Sequence, residues 1–280
     1  MNAFQKLENK IKEKDSPLCV GLDPHLDLLP EEIVKTSFDK YGKNAKGAAT
    51  AILEFNLEII EAIRDLVPAV KPQIAFYEKW GSEGILALEE TVAYAKKRGL
   101  MVIMDAKRND IGSTARAYAE AFLSSESELS SDFLTVTPYL GTEGITPFLE
   151  LARKEGKGVF LVAFTSNEMA NEIQGPIKDV LIKNINTLQK EFGNLGAVLG
   201  LTRDDFLEIQ AEMPNVFYLI PGLGAQGGSV ENFKELIRKK GKGIVSASRS
   251  VLFAFREGQE KDFKKAATEE VKRILQSLKA

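Results

Sequence analysis

The sequence predicts an α/β chain closed into a (β/α)8 TIM barrel, one domain with an insertion after its first strand, and three observations carry that expectation. Eight short apolar runs of strand length recur along the chain, separated by longer stretches with helical periodicity. The runs are almost continuously hydrophobic rather than alternating, which is the pattern of parallel strands covered on both faces. Eight such units in 280 residues suit a barrel, whereas an open doubly wound sheet usually has fewer strands and often opens with a glycine fingerprint. No GxGxxG follows the first run.

The first run, LCVGLD (18–23), ends at Asp23. Residues 24–46 (PHLDLLPEEIVKTSFDKYGKNAK) then delay the second run; they are polar, contain Pro24 and Pro30, and read as an insertion making a surface excursion. Ile52, Phe55, Ile59, Ile63 and Leu66 fall on one helical face. The second run, AVKPQIA (69–75), carries Lys71, and a helix bearing Ile85, Leu88, Val92 and Ala95 follows it, ended by Gly99. The third run, LMVIMDAK (100–107), leads into Arg108-Asn109-Asp110-Ile111. The remaining runs are FLTVTP (133–138), GVFLVAFT (158–165), GAVLGLT (196–202), VFYLIPG (216–222) and GIVSASR (243–249). Phe263, Ala267, Val271, Ile274 and Leu278 mark a closing helix. With no low-complexity linker and no second core, residues 1–280 read as a single domain.

Composition narrows the function. The 37 basic residues nearly cancel the 40 acidic ones, leaving a net charge of -3, so nothing draws the chain as a whole to nucleic acid or to an anionic membrane. Any anion site must be local. The start, MNAFQKLENKIKEK, lacks the apolar stretch of a signal peptide or spanning helix, and a lone cysteine, Cys19, cannot form an internal disulfide, so the chain reads as cytoplasmic. One histidine, His25, is too few for a zinc or iron site built on several imidazoles. His25 itself reads as a solvated loop imidazole, and Cys19, Tyr77 and Trp80 as packing residues.

In such a barrel the carboxyl ends of the strands carry the chemistry. Alternate residues of a strand share a side, so Asp105 and Lys107 are expected to point together into the barrel mouth. Lys71 sits in a strand that should be covered on both faces, and a buried lysine needs a carboxylate partner. Asp105 is the natural partner, and Asp110 just beyond the strand extends the set to two lysines and two aspartates. Alternating charges stabilise one another's ionised forms. The plain alternative is a set of solvated loop charges; the strand-end location and the neighbouring lysine favour function.

A second constellation addresses an anion. Pro221-Gly222-Leu223-Gly224-Ala225-Gln226-Gly227-Gly228-Ser229 follows the seventh run and Ser248-Arg249 the eighth, where barrels frequently bind phosphate. Glycines let backbone N–H groups approach an anion, Gln226 can donate to it, and Arg249 offers a planar fork of donors. By itself the glycine-rich stretch also reads as a flexible turn. Asp23 suits a sugar hydroxyl or a turn, and Ser166, after the fifth run, suits a polar ring edge or a turn.

Together, Asp105-x-Lys107-x-x-Asp110-Ile111-Gly112-x-Thr114, Lys71 on the preceding strand, the PGLGAQGG segment and Arg249 closely resemble the orotidine 5'-phosphate decarboxylase family, above all its longer bacterial members. The likeness runs from Asp23 to Arg249. It implies removal of CO2 from orotidine monophosphate to give UMP, the last step of de novo pyrimidine biosynthesis, without metal or organic cofactor. Carried over by residue, Lys107 would protonate C6 of the pyrimidine, Asp105 would lie against the departing carboxylate, and Lys71 would bind Asp105 and a ribose hydroxyl. Asp110, Ile111 and Thr114 would reach into the other site of a homodimer. Asp23 would hold ribose, Ser166 the pyrimidine edge, and Gln226 and Arg249 the phosphate, in a loop that Pro221 opens. Ser248 departs from the family, in which a glycine often precedes the arginine, and its side chain is expected to alter how the backbone meets phosphate.

Three other readings share these features. A magnesium-dependent sugar-phosphate decarboxylase or aldolase of the same barrel superfamily looks similar at DxKxxD. A Schiff-base aldolase needs an uncharged lysine, which flanking carboxylates oppose. A barrel that only binds a phosphorylated ligand needs the anion site without the proton donor.

Overall fold

Eight parallel strands close the sheet in sequence order: β1 (Leu18–Leu22), β2 (Ala69–Pro72), β3 (Met101–Arg108), β4 (Phe133–Val136), β5 (Gly158–Phe164), β6 (Leu195–Leu199), β7 (Phe217–Pro221) and β8 (Lys242–Ala247). The computed structural model describes residues 1–223 and 230–279. Each strand falls in one of the eight apolar runs, with β3, β6 and β8 each reaching one residue beyond its run, and the ring shuts where Leu18, Cys19 and Val20 of β1 meet Val245, Ser246 and Ala247 of β8.

Two apolar compartments hold the ring. Outside it, helix Ala45–Ile63 buries Ile52, Phe55, Ile59 and Ile63, helix Gly81–Lys97 buries Leu88, Val92 and Ala95, and helix Phe263–Lys279 buries Ala267, Val271, Ile274 and Leu278. Inside it, Cys19, Met101, Ile103, Phe133, Phe160 and Phe217 form a separate cluster with Phe4 and Leu7. The Phe4 ring stands 5.0, 5.3 and 5.5 Å from those of Phe133, Phe160 and Phe217. The amphipathic helix Ala3–Lys14 therefore plugs the amino-terminal end of the barrel, leaving the carboxyl ends for a site. Gly158 and Gly196 make room for this filling, since a Cβ on either would lie 2.6 Å from the Phe133 ring or 2.8 Å from the Phe160 ring. Cys19 is fully buried here, and burial pushes its thiol up to about 12, which suits an inert core residue.

Residues 24–46 are more regular than the expected excursion. After a 3-10 turn at Leu26–Leu28 they form helix Glu31–Tyr41, which buries Ile33 and Ser37. Asn44 then caps helix Ala45–Ile63 by accepting the Gly47 N–H at 3.1 Å. His25 is half-buried rather than solvated; its ring lies edge-on to Phe76 at 4.5 Å and to Phe253 at 6.1 Å. Aromatic edge-to-face contact outweighs the loop's polar composition. Among the described residues, no helix is long and apolar enough to cross a membrane.

Candidate active site

The chemistry begins with an irregularity in β3. Its register with β4 runs normally at Ile103↔Phe133 and Met104↔Leu134, then shifts to Arg108↔Val136. Lys107 sits in that bulge with φ of 47°, one of three non-glycine residues with positive φ among those described. A left-handed residue with a side chain costs about 1–2 kcal/mol, so the fold must hold it there. Bulges beside active sites re-aim side chains. Simple alternation along a strand does not describe this backbone; the bulge delivers the Lys107 ammonium to Asp105.

Asp105 stands between two ammonium groups. Lys71 Nζ donates to its Oδ2 at 2.8 Å and Lys107 Nζ to its Oδ1 at 2.6 Å. Lys71 is 7% and Asp105 8% exposed, whereas the Lys107 side chain is 47% exposed. Lys71 thus lies beneath the carboxylate and Lys107 faces the open mouth. Burial alone would lower the pKa of Lys71, but Asp105 and Asp23 outweigh it and hold the ammonium above the ordinary lysine range. Burial alone would raise Asp105, but Lys71 and Lys107 outweigh it and hold the carboxyl well below the usual carboxylate range.

Around this pair stand the other strand ends. Asp23 follows β1, and its Oδ1 is buried with no hydrogen-bond partner among the described residues, an acceptor that a hydroxyl of a bound molecule would satisfy. Tyr77, fully buried, braces this corner: its hydroxyl accepts from Asn56 Nδ2 at 2.9 Å and donates to the Leu22 carbonyl at 3.3 Å. Ser166 follows β5 and lines an open cavity of about 320 Å³ with Asn171, Arg203 and Asp205. Its backbone lies so close to β6 that a Cβ on Gly200 would stand 2.7 Å from the Ser166 nitrogen. Pro221 ends β7 opposite Ser246, and Gly222, with φ of 109°, turns the chain out of the barrel. Gln226 lies outside the described residues. Ser248 precedes helix Arg249–Leu252, and Arg249 is exposed at the mouth. The Ser248 side chain fits against a glycine of β1: a Cβ on Gly21 would stand 1.9 Å from Ser248 Oγ and 3.3 Å from Asp23 Oδ1.

Residues 16–261 match the orotidine 5'-phosphate decarboxylase / HUMPS family. The chain belongs to that family. The orotidine 5'-phosphate decarboxylase of Rhodopirellula baltica is 38% identical over 96% of this chain and 93% of its own length. That of Clostridium tetani is 36% identical over 97% and 96%. Among solved structures, Leishmania donovani OMP decarboxylase superposes over 100% of both chains with a TM-score of 0.76 and 28% identity. The UMP synthase of the same organism superposes with a TM-score of 0.79 and 28% identity, over 100% of this chain and 56% of that one.

Within a single chain of this decarboxylase family member, three of the four expected charges come together and one does not. Asp110 accepts the N–H of Ile111 at 2.7 Å, and among the described residues no ion pair joins it to Lys71 or Lys107. The setting is local: β3 ends at Arg108, Asp110 lies in the short connection that follows, where its carboxylate takes the Ile111 N–H, and helix Gly112–Leu123 begins just beyond. Ile111 and Thr114 are both exposed, Ile111 at 51%. Two residues went unmarked in the sequence. Arg203, buried behind Ser166, pairs with Asp205 at 2.8 Å and donates to the Thr165 carbonyl and to Asn171 Oδ1, both at 3.1 Å, tying together the loops after β5 and β6. Thr135 of β4 is hydrogen-bonded to Asp105 and to the bulge. An arginine followed two residues on by an aspartate was a visible signal; a threonine in a strand was not.

Proposed function

We propose that the protein converts orotidine 5'-phosphate to UMP and CO2, the last step of de novo pyrimidine biosynthesis, acting in the cytoplasm as one catalytic domain across residues 1–280 with no metal or organic cofactor. The observation that carries this reading is Asp105 clamped at 2.8 and 2.6 Å between two lysines, of which only Lys107 opens to the mouth.

Breaking the bond from C6 of the pyrimidine to its carboxylate leaves an electron pair on a ring carbon with no π-system positioned to take it. Catalysis then depends on stabilising that localised charge more than the ground state. An ammonium already fixed in place does so without reorganisation. The Lys107 N–H bond breaks as the C6–H bond forms with that electron pair, and CO2 departs. Lys71 is too buried to take this part and keeps Asp105 ionised. The same donor set is poor for a divalent cation, because the two ammonium groups that flank the Asp105 carboxylate repel it.

The flanking residues complete the assignment. Asp23 Oδ1 accepts from a ribose hydroxyl, Ser166 bonds the pyrimidine edge, and Gln226 and Arg249 hold the phosphate beside Pro221 and Ser248. Binding energy from the phosphate end contributes to the rate of a reaction at the other end. The working unit is a homodimer with shared sites: Ile111, Tyr139 and Leu140 are 51%, 80% and 43% exposed beyond the adjacent strands β3 and β4, an apolar rim suited to a second copy. Asp110 and Thr114, carried by the same segment as Ile111, then reach the partner's site.

Spectrophotometric turnover of orotidine monophosphate by purified protein in excess EDTA tests the proposal. UMP formation is expected to persist. Activity that vanishes with chelator and returns with magnesium would assign the site to metal-dependent sugar-phosphate chemistry instead.

A further inference from the structure

We infer that Thr135 is a positioning residue for the proposed proton donor: its hydroxyl holds the left-handed backbone at Lys107 and fixes the Asp105 carboxylate oxygen that Lys107 uses. The kinetic part of this inference rests on the decarboxylase reading above; the backbone part does not.

A hydroxyl has one hydrogen to donate and two lone pairs with which to accept. Thr135, 1% exposed in β4, uses all three. It accepts the N–H of Ala106 at 3.0 Å and that of Lys107 at 2.9 Å, and it donates to Asp105 Oδ1 at 3.0 Å. The competing acceptor, the Met104 carbonyl, is at 3.5 Å, the edge of hydrogen-bond reach.

The two accepted N–H groups lie where the β3 to β4 register shifts between Met104 and Arg108. The threonine side chain therefore stands in for the strand backbone that the bulge displaces. Without it, two donors beneath the site lose their partner, and β4 holds this stretch only beyond the bulge, where the Thr137 N–H donates to the Arg108 carbonyl at 3.0 Å. The effect is one-sided. Thr135 and Lys107 share Oδ1, whereas Lys71 binds Oδ2. Loss of the hydroxyl should release Lys107 from Asp105 Oδ1 while the buried pair of Lys71 and Asp105 persists.

Valine matches threonine in shape and lacks the hydroxyl; serine keeps the hydroxyl and lacks the methyl. The full-length Thr135→Val and Thr135→Ser proteins should be compared with wild type for orotidine monophosphate turnover, UMP affinity, and amide hydrogen exchange at Ala106 and Lys107. Thr135→Val is expected to lower kcat at least about 100-fold while UMP affinity stays within about threefold, and to speed exchange at both amides. Thr135→Ser is expected to remain within about fivefold of wild type in turnover and to keep both amides protected. If the valine protein does not fold, Thr135→Ala removes the same hydroxyl without added bulk and takes its place in the comparison. Turnover by the hydroxyl-free variant within about threefold of wild type, equal losses for serine and valine, or unchanged exchange would each overturn the assignment. A wild-type protein inactive on orotidine monophosphate defeats the functional reading alone, and the exchange comparison still decides whether Thr135 holds the bulge.

Discussion

Replacing Asp105 by asparagine removes a charge and almost no volume, so its effect on stability measures how strongly the buried Lys71 depends on that charge. At 2.8 Å the attraction is about 6 kcal/mol for an effective dielectric near 20, before the cost of desolvating both ions is subtracted. Breaking a buried pair by removing one partner costs about 3–5 kcal/mol, because the remaining charge is left uncompensated. Asp23 still acts on Lys71, and Lys107 is exposed enough to be solvated, so the low end applies, about 3 kcal/mol at neutral pH. The pH dependence carries a definite sign. In the wild type the folded Lys71 is held above its unfolded value, so its stabilisation is complete below the ordinary lysine range and lost only above it. In Asp105→Asn burial dominates and Lys71 falls below its unfolded value, so that variant gains stability as pH rises from about 7 to about 10, and its deficit narrows. Urea unfolding followed by circular dichroism across that range measures both quantities. Adding Lys71→Met to Asp105→Asn should recover part of the stability, since the buried ammonium left without Asp105 is then removed. A deficit under about 1 kcal/mol at neutral pH, or one that stays constant as pH rises, would refute the reasoning.

Two further outcomes follow from the packing and the surface. Gly21→Ala places a Cβ 1.9 Å from Ser248 Oγ and should cost about 1–3 kcal/mol, most of it recovered by adding Ser248→Gly; additive effects in thermal unfolding would contradict this contact. If the chain pairs as proposed, Ile111→Glu, at a 51% exposed position beside Asp110, should weaken self-association in sedimentation and lower activity in step with it; unaltered association would remove Ile111 from the proposed interface.

Much of the fold and part of the site are legible in the sequence. Strands covered on both faces are written as unbroken apolar runs, so all eight could be placed. The pairing of Lys71 with Asp105 was legible because a lysine inside such a run cannot remain without an anion. What resisted reading was tertiary in origin. The left-handed Lys107 depends on a hydroxyl from the next strand, and Thr135 looks like any β-branched strand residue until β3 and β4 are side by side. The helix Ala3–Lys14 has a polar composition and declares its role only when Phe4 is seen among three barrel rings. Helix Glu31–Tyr41 reads as polar loop because it covers another helix with few buried positions. Asp110 stands apart from the lysines in the connection after β3, its carboxylate taken by the Ile111 N–H, a local bond that spacing alone does not reveal.

The most direct test of the account is the turnover of Lys107→Ala set against its affinity for UMP. Lys107 is exposed and buries little, so the variant should fold, bind UMP within about tenfold of wild type, and lose orotidine monophosphate turnover by at least about three orders of magnitude. A Lys107→Ala protein that releases CO2 within about tenfold of the wild-type rate would show that the proton reaches C6 from elsewhere.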